Sequence, residues 1–159
     1  MATKGDVLLV GSVPLASVQE VFHTCGTLIG DRVPCLPDGE VGDRAYWILY
    51  VAYRTYHGHP DIRTVQKPAT GWKPSGMADC WAFKLKRGTK KLKFATLGYA
   101  EAAIGSYAAF CKARDAGDIP QGVRFQVAFP FPQDATYFFF RDPDDHATVM
   151  AAYEDALGR

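Results

Sequence analysis

The chain has 159 residues, of which 48% are hydrophobic and 13% aromatic, enough apolar material for one globular domain with a core. Its formal net charge is +1, which argues overall against a nucleic-acid partner and against acid-rich disorder. No apolar run approaches the roughly 18 residues of a membrane helix, and the first residues lack a secretory leader pattern, so a cytoplasmic chain without a membrane partner is expected.

Residues 7–10 (VLLV) form a short continuous apolar run that ends at Gly11, the pattern of a fully buried strand. Pro14 and Ser17 supply helix-start chemistry. Val18, Phe22, Cys25 and Ile29 then follow at spacings of one helical face, and Gly30 supplies a stop. RVPCL reads as a second strand. It runs into PDGE, where Asp38 and Glu40 flank Gly39, and a helix is expected from Asp43 to about His57.

The middle of the chain is richer in turn residues. HGHPD, KPATGWKPSG and RGTKK read as loops. WAFKL and KLKFATL read as the two arms of a hairpin around Arg87-Gly88-Thr89. Six basic residues fall between 84 and 93, and their alternation favours a solvated hairpin face over an anion site. Residues 99–116 predict a helix with Ala100, Ala103, Ile104, Tyr107, Ala108 and Cys111 on its apolar face. VRFQVAF predicts a strand, FPFPQD an exit loop and YFFF buried packing. A last helix opens at Asp142-Pro143 and ends at Gly158.

Four cysteines and four histidines are scattered without metal-ligand spacing, so the cysteines read as small buried residues, and His57 and His59 as a surface loop. No metal site is expected. Strand–helix alternation with a hairpin insertion predicts an α/β layout around a parallel sheet. Such folds collect functional groups where strands end. Gly11-Ser12, Asp38-Gly39-Glu40 and residues 130–133 all fall at such edges. Gly11-Ser12 reads equally as a turn or a binding loop. Asp38 reads equally as a turn residue bonding its own backbone or a ligand contact. The bland reading of Glu40 is an exposed carboxylate at a helix N-terminus.

LVGSVP, LPDGEVGDRAYWI and LGYAEAAIGSYAAFCKARDAGDIPQGVRFQVAFPFP, in that order and spacing, resemble the methionine-synthase-like members of the cobalamin-independent methionine synthase superfamily. The resemblance runs from about residue 7 to 157 and implies the amino-terminal half of a catalytic (β/α)8 barrel. The expected fold is therefore a single domain over 1–159, a partial (incomplete) TIM-type barrel with a hairpin insertion. It implies that Gly11, Ser12 and Glu40 hold a small amino-acid-like thiol such as homocysteine, with Glu40 facing its amino group. Asp38 stands where those synthases carry histidine. Arg44 is placed to pair with Glu40 or to reach a ligand carboxylate.

In the full-length family zinc and a folate methyl donor complete a methyltransferase of methionine biosynthesis. The zinc-ligand motifs are not found in this chain, so no cofactor is expected to bind it alone. The resemblance thus implies a unit completed by self-association or by a second half-barrel. The alternatives are a non-catalytic small-ligand binding module and a truncated product without independent activity.

Overall fold

A computed structural model describes residues 6–158. The chain is mixed α/β and divides into two compact units, Met1–Ala45 with Tyr99–Phe129, and Tyr46–Gly98 with Pro130–Arg159.

The first unit begins with an extended segment rather than a full strand. Val7 N–H donates to Arg32 carbonyl at 2.9 Å and Val13 N–H to Gly39 carbonyl at 2.9 Å. Ser12 forms a single parallel bridge with Gly39. The VLLV run is not fully buried: Leu8 and Val10 are 66% and 82% exposed, while Val7 and Leu9 pack on the core. Extended backbone sends successive side chains to opposite faces, and only one face of this segment is covered.

Helix α1, Val18–Ile29, starts where the sequence places its cap. Ser17 Oγ accepts from Glu20 N–H at 3.2 Å, and the Glu20 carboxylate accepts from Ala16 N–H at 2.9 Å. The Ser17 hydroxyl thus satisfies one donor that the first helical turn leaves open, and Glu20 reaches back to the residue before the cap. Strand β1, Cys35–Pro37, runs parallel to β4, Arg124–Gln126. Between them in sequence comes helix α3, Tyr99–Asp115. Phe22 of α1, Phe110 of α3 and Phe125 of β4 meet edge-on or tilted, with centroids 5.4–6.2 Å apart. Around them Val21, Leu36, Ile119 and Val123 close the core.

The buried face of α3 is not the predicted one. Ser106 and Phe110 are buried, whereas Ile104 and Tyr107 are 72% and 50% exposed. The helix is so rich in alanine that its apolar period is shallow, and packing decides the rotation.

In the second unit β2, Ile62–Gln66, pairs antiparallel with β3, Ala82–Leu85. The hairpin expected between WAFKL and KLKFATL is therefore corrected: the partner of WAFKL is IRTVQ, and 92–97 form no strand. The expected helix from Asp43 to His57 is also interrupted. A 3-10 turn at Gly42–Tyr46 gives way at Trp47, whose φ is +50°, before α2 at Ile48–Val51 and a π-type turn at Ala52–Tyr56.

The FPFPQD exit folds into a short helix, α4 at Pro132–Tyr137, with Pro132 at its first position. Of YFFF, Phe139 and Phe140 are buried, while Tyr137 and Phe138 lie at the surface. Tyr56 lies within 5.2–6.2 Å of Phe83, Phe94, Phe139 and Phe140, and its hydroxyl donates to Ala135 carbonyl at 2.8 Å.

The last helix, α5 at Pro143–Leu157, is capped by Asp142 and ends at Gly158 as the sequence predicts. Asp142 also accepts from Lys84 Nζ at 2.6 Å. Among the described residues no helix is long and apolar enough to cross a membrane, and the strands close no barrel.

Two outcomes follow from these contacts. A Cβ on Gly26 of α1 would stand 2.4 Å from the Asp118 carbonyl oxygen and 2.9 Å from Ile119. Gly26→Ala therefore lowers stability by about 1–3 kcal/mol through overpacking, reversing the usual helical gain, as urea unfolding will read. Asp142 is held below the usual carboxylate range by its hydrogen bond from Lys84 and by the Asp144 backbone N–H. A depressed carboxyl stabilises the fold above its unfolded value and loses that contribution as pH falls through the folded one. Asp142→Asn keeps a helix cap but loses the ion pair. Its urea midpoint falls below wild type at neutral pH, and the gap closes as pH drops beneath the carboxylate range.

Candidate functional site

The carboxyl ends of the parallel segments bring Gly11, Ser12, Asp38, Gly39 and Glu40 together in the first unit. Gly39 makes the arrangement sterically feasible. Its φ is +79°, and a Cβ there would lie 2.7 Å from Val21 Cγ2 and 3.2 Å from Val13 Cβ. Only glycine meets both demands. Gly11 lets Ser12 sit close to the acid pair, for a Cβ on it would approach the Glu40 carboxylate and Ala128 at 3.3 Å.

Asp38 is 5% exposed and its oxygens are used by the chain itself. Oδ2 accepts from Arg44 Nη2 and from Ser106 Oγ, each at 2.6 Å. Oδ1 accepts from Glu40 N–H at 3.1 Å. The last bond is the turn geometry that an aspartate two residues ahead of an N–H provides. A buried carboxyl group needs such partners to offset the cost of leaving water.

Glu40 differs in kind. It is 8% exposed, not an exposed carboxylate at a helix N-terminus. Its φ of +49° is left-handed, a conformation that costs a non-glycine residue on the order of 1 kcal/mol or more. Glu40 Oε2 accepts a hydrogen bond from Ser12 Oγ. Ser12 is itself exposed, so this hydroxyl links the buried carboxylate to solvent.

Four of the five predicted residues thus stand at one strand edge, and Arg44 joins them on the following turn. Arg44 pairs with Asp38, at 2.6 Å, and not with Glu40. Five residues separate the two ends of that pair, and the 3-10 turn at Gly42–Tyr46 folds the guanidinium back. Residues 130–133, the third predicted edge, belong to the second unit.

Ser106 was not among the predicted site residues. The available signal was a lone hydroxyl inside AAIGSYAAF, four residues before the buried Phe110. His57 and His59 serve local structure: His57 Nδ1 lies 3.1 Å from Thr64 Oγ1, and His59 Nε2 lies 3.2 Å from Lys93 carbonyl. Among the described residues no three His, Cys, Asp or Glu side chains converge as a metal would require.

Chemically, the site offers one acid with three donors and, among the described residues, one acid held by the Ser12 hydroxyl. The first is a structural tie, and the second is equipped to accept a hydrogen bond from a cation. Comparison with protein-family models, curated proteins and solved structures gave no match to this chain.

Removing the Ser106 hydroxyl tests the structural half of this division. Ser106→Ala takes away a buried hydrogen bond to a charged acceptor and costs about 1.5–3 kcal/mol. A urea-unfolding loss under about 0.5 kcal/mol, the range of an ordinary surface substitution, would mean that Asp38 does not depend on α3.

Proposed function

We propose that the chain is a methionine-synthase-like binding unit that grips a small amino-acid-like ligand through its ammonium at Glu40 and Ser12. The observation that carries this reading is the inequality of the two buried carboxylates. Asp38 is occupied by Arg44, Ser106 and a backbone N–H. Glu40 is held in a strained backbone conformation with Ser12 as its side-chain partner. Strain at a polar site beside an exposed hydroxyl is the pattern of preorganisation for a ligand. An ammonium there gains a charge-assisted hydrogen bond in a setting shielded from bulk water.

The first unit supports the incomplete (β/α)8 reading in its layout. Its β1–β4 pair is parallel, the extended segment before α1 bridges to Gly39 in the same sense, and α1 and α3 share one core. The resemblance to methionine synthases adds homocysteine as the ligand to try first. It also implies zinc, and the described residues gather no ligand set that fits a zinc ion. No step through zinc or a folate donor is therefore assigned, and binding is the activity proposed.

A second reading has one observation in its favour. Parallel strands are normally covered on both faces, and Leu8 and Val10 stand 66% and 82% exposed. A second copy or half-barrel laid on that face would complete a larger unit. Its sign would be an unfolding midpoint that rises with protein concentration.

Titration calorimetry with homocysteine tests the main proposal, using Glu40→Gly as the variant. Glycine relieves the left-handed strain as the Ser12 hydrogen bond is lost, so the urea midpoint stays within about 1 kcal/mol of wild type. Affinity falls tenfold or more, about 1.4 kcal/mol. Equal affinity for wild type and variant would remove Glu40 from the site, and absence of binding to wild type would remove homocysteine.

A further inference from the structure

The net charge of +1 conceals a segregation. Residues 46–98 hold ten lysines and arginines against two acids, Asp61 and Asp79, and the rest of the chain is correspondingly acidic. Much of this surplus lies on one surface of the second unit, the outer face of the β2–β3 pair.

Arg63 stands directly opposite Lys84 in the register, so both point to the same face. Past Arg63 a β-bulge at Val65 breaks the register, while Lys86 and Arg87 continue from Lys84 along the same depression and Lys90 follows, exposed, in the turn. Like charges directly opposite on paired strands are unfavourable. Nearby acids offset only part of the excess. Asp142 takes Lys84 at 2.6 Å, and Asp145 is buried and accepts from Leu85 N–H at 3.0 Å. Asp79 is occupied by the Ala69 and Ser75 backbone N–H groups and the Ser75 hydroxyl. Lys86, Arg87, Lys90 and Lys91 face solvent.

The face is contoured. Two depressions share Arg63 and Lys84: one of about 420 Å³ reaches Arg141. The other, of about 660 Å³, reaches Lys86, Arg87 and Thr89, with Asp144 and Asp145 on its far wall.

We infer that the outer face of the β2–β3 pair, with its Arg87–Lys90 turn, docks the phosphodiester backbone of a nucleic acid. Arg63, Lys84, Lys86 and Arg87 line one depression, a row of cations that suits a linear polyanion better than a single compact anion. Val65 is the one large apolar side chain among the exposed positions of these two strands. An anionic membrane surface is gripped by aromatic or aliphatic anchors as well as charge, so the nucleic acid is the better match. The near-zero total charge, which argues against such a partner, averages this face with an acidic remainder. Contacts of this kind go to phosphates and carry little sequence preference. None of its residues belongs to the Ser12–Glu40 site, so its test is independent of theirs.

The test is fluorescence anisotropy of the full chain with a labelled oligothymidylate of about 20 nucleotides, from about 50 to 200 mM salt. Binding at low salt with a log–log slope near −0.7 per neutralised phosphate, about −2 to −3 in total, is the expected result. Reversing Lys86→Glu, Arg87→Glu and Lys90→Glu together weakens binding at least tenfold and flattens the slope. These side chains are solvent-exposed, so the urea midpoint and circular dichroism of the triple variant stay at wild-type values. No binding at low salt, or equal binding by the reversed variant, would overturn the inference. Tighter capture by phosphatidylserine vesicles than by the oligonucleotide would overturn it in favour of a lipid surface.

Discussion

A buried carboxylate tolerates its position only if donors surround it, and Asp38 draws its donors from three places. Arg44 comes from the turn that follows β1, Ser106 from the middle of α3, and the Glu40 N–H from the chain two residues ahead. One side chain therefore fixes the path leaving the strand, the seating of a 17-residue helix and the backbone of its acidic neighbour. The left-handed twist at Glu40 persists because these bonds specify it. Remove the carboxylate and Arg44, Ser106 and the Glu40 N–H each lose the acceptor they share. The binding groups are thus an outgrowth of a structural knot, and their accuracy is bounded by it.

The legible parts of this molecule are those where local chemistry and packing agree. The α1 cap at Ser17 and the α5 cap at Asp142 with Pro143 are decided within four residues of chain, so the sequence places them well. The glycine between two acids at the end of a short apolar strand is local as well, and it leads to most of the candidate site. What is missed depends on partners distant in sequence. IRTVQ and KLKFATL are both plausible companions for WAFKL, and only the tertiary arrangement selects the former. An alanine-rich helix presents several similar faces, so Ser106 could not be distinguished from its surface neighbours. Arg44 is reassigned from Glu40 to Asp38 because a 3-10 turn replaces the helix that the i, i+4 argument assumes.

The second unit shows a different economy. Its core is built from rings: Trp81 stacks on Phe83 at 5.7 Å, and Tyr56 touches four phenylalanines edge-on or tilted. Aromatic side chains remove much apolar surface per residue and leave few torsions to order. A small unit with only two paired strands gains most from such residues. Trp72 extends the pattern outward, stacked on Tyr53 at 5.2 Å, while its carbonyl accepts from Trp81 Nε1 at 2.8 Å. That pair of contacts pins a Gly- and Pro-rich loop that has no ladder of its own.

The division of the chain has a consequence for how the molecule is made. The first unit consists of two stretches separated by residues 46–98. Cys35 and Gln126, whose side chains bond across the parallel pair, stand 91 residues apart. On a ribosome β1 emerges long before β4, so its ladder edge waits unpaired through the synthesis of everything between. Closing so long a loop is entropically slow if that segment is still a coil. The second unit is divided in the same way, for Tyr56 packs on Phe139 and Phe140, which emerge after β4. Ser106 in turn follows Asp38 by 68 residues, so the bonds around that carboxylate are complete only once α3 has been made.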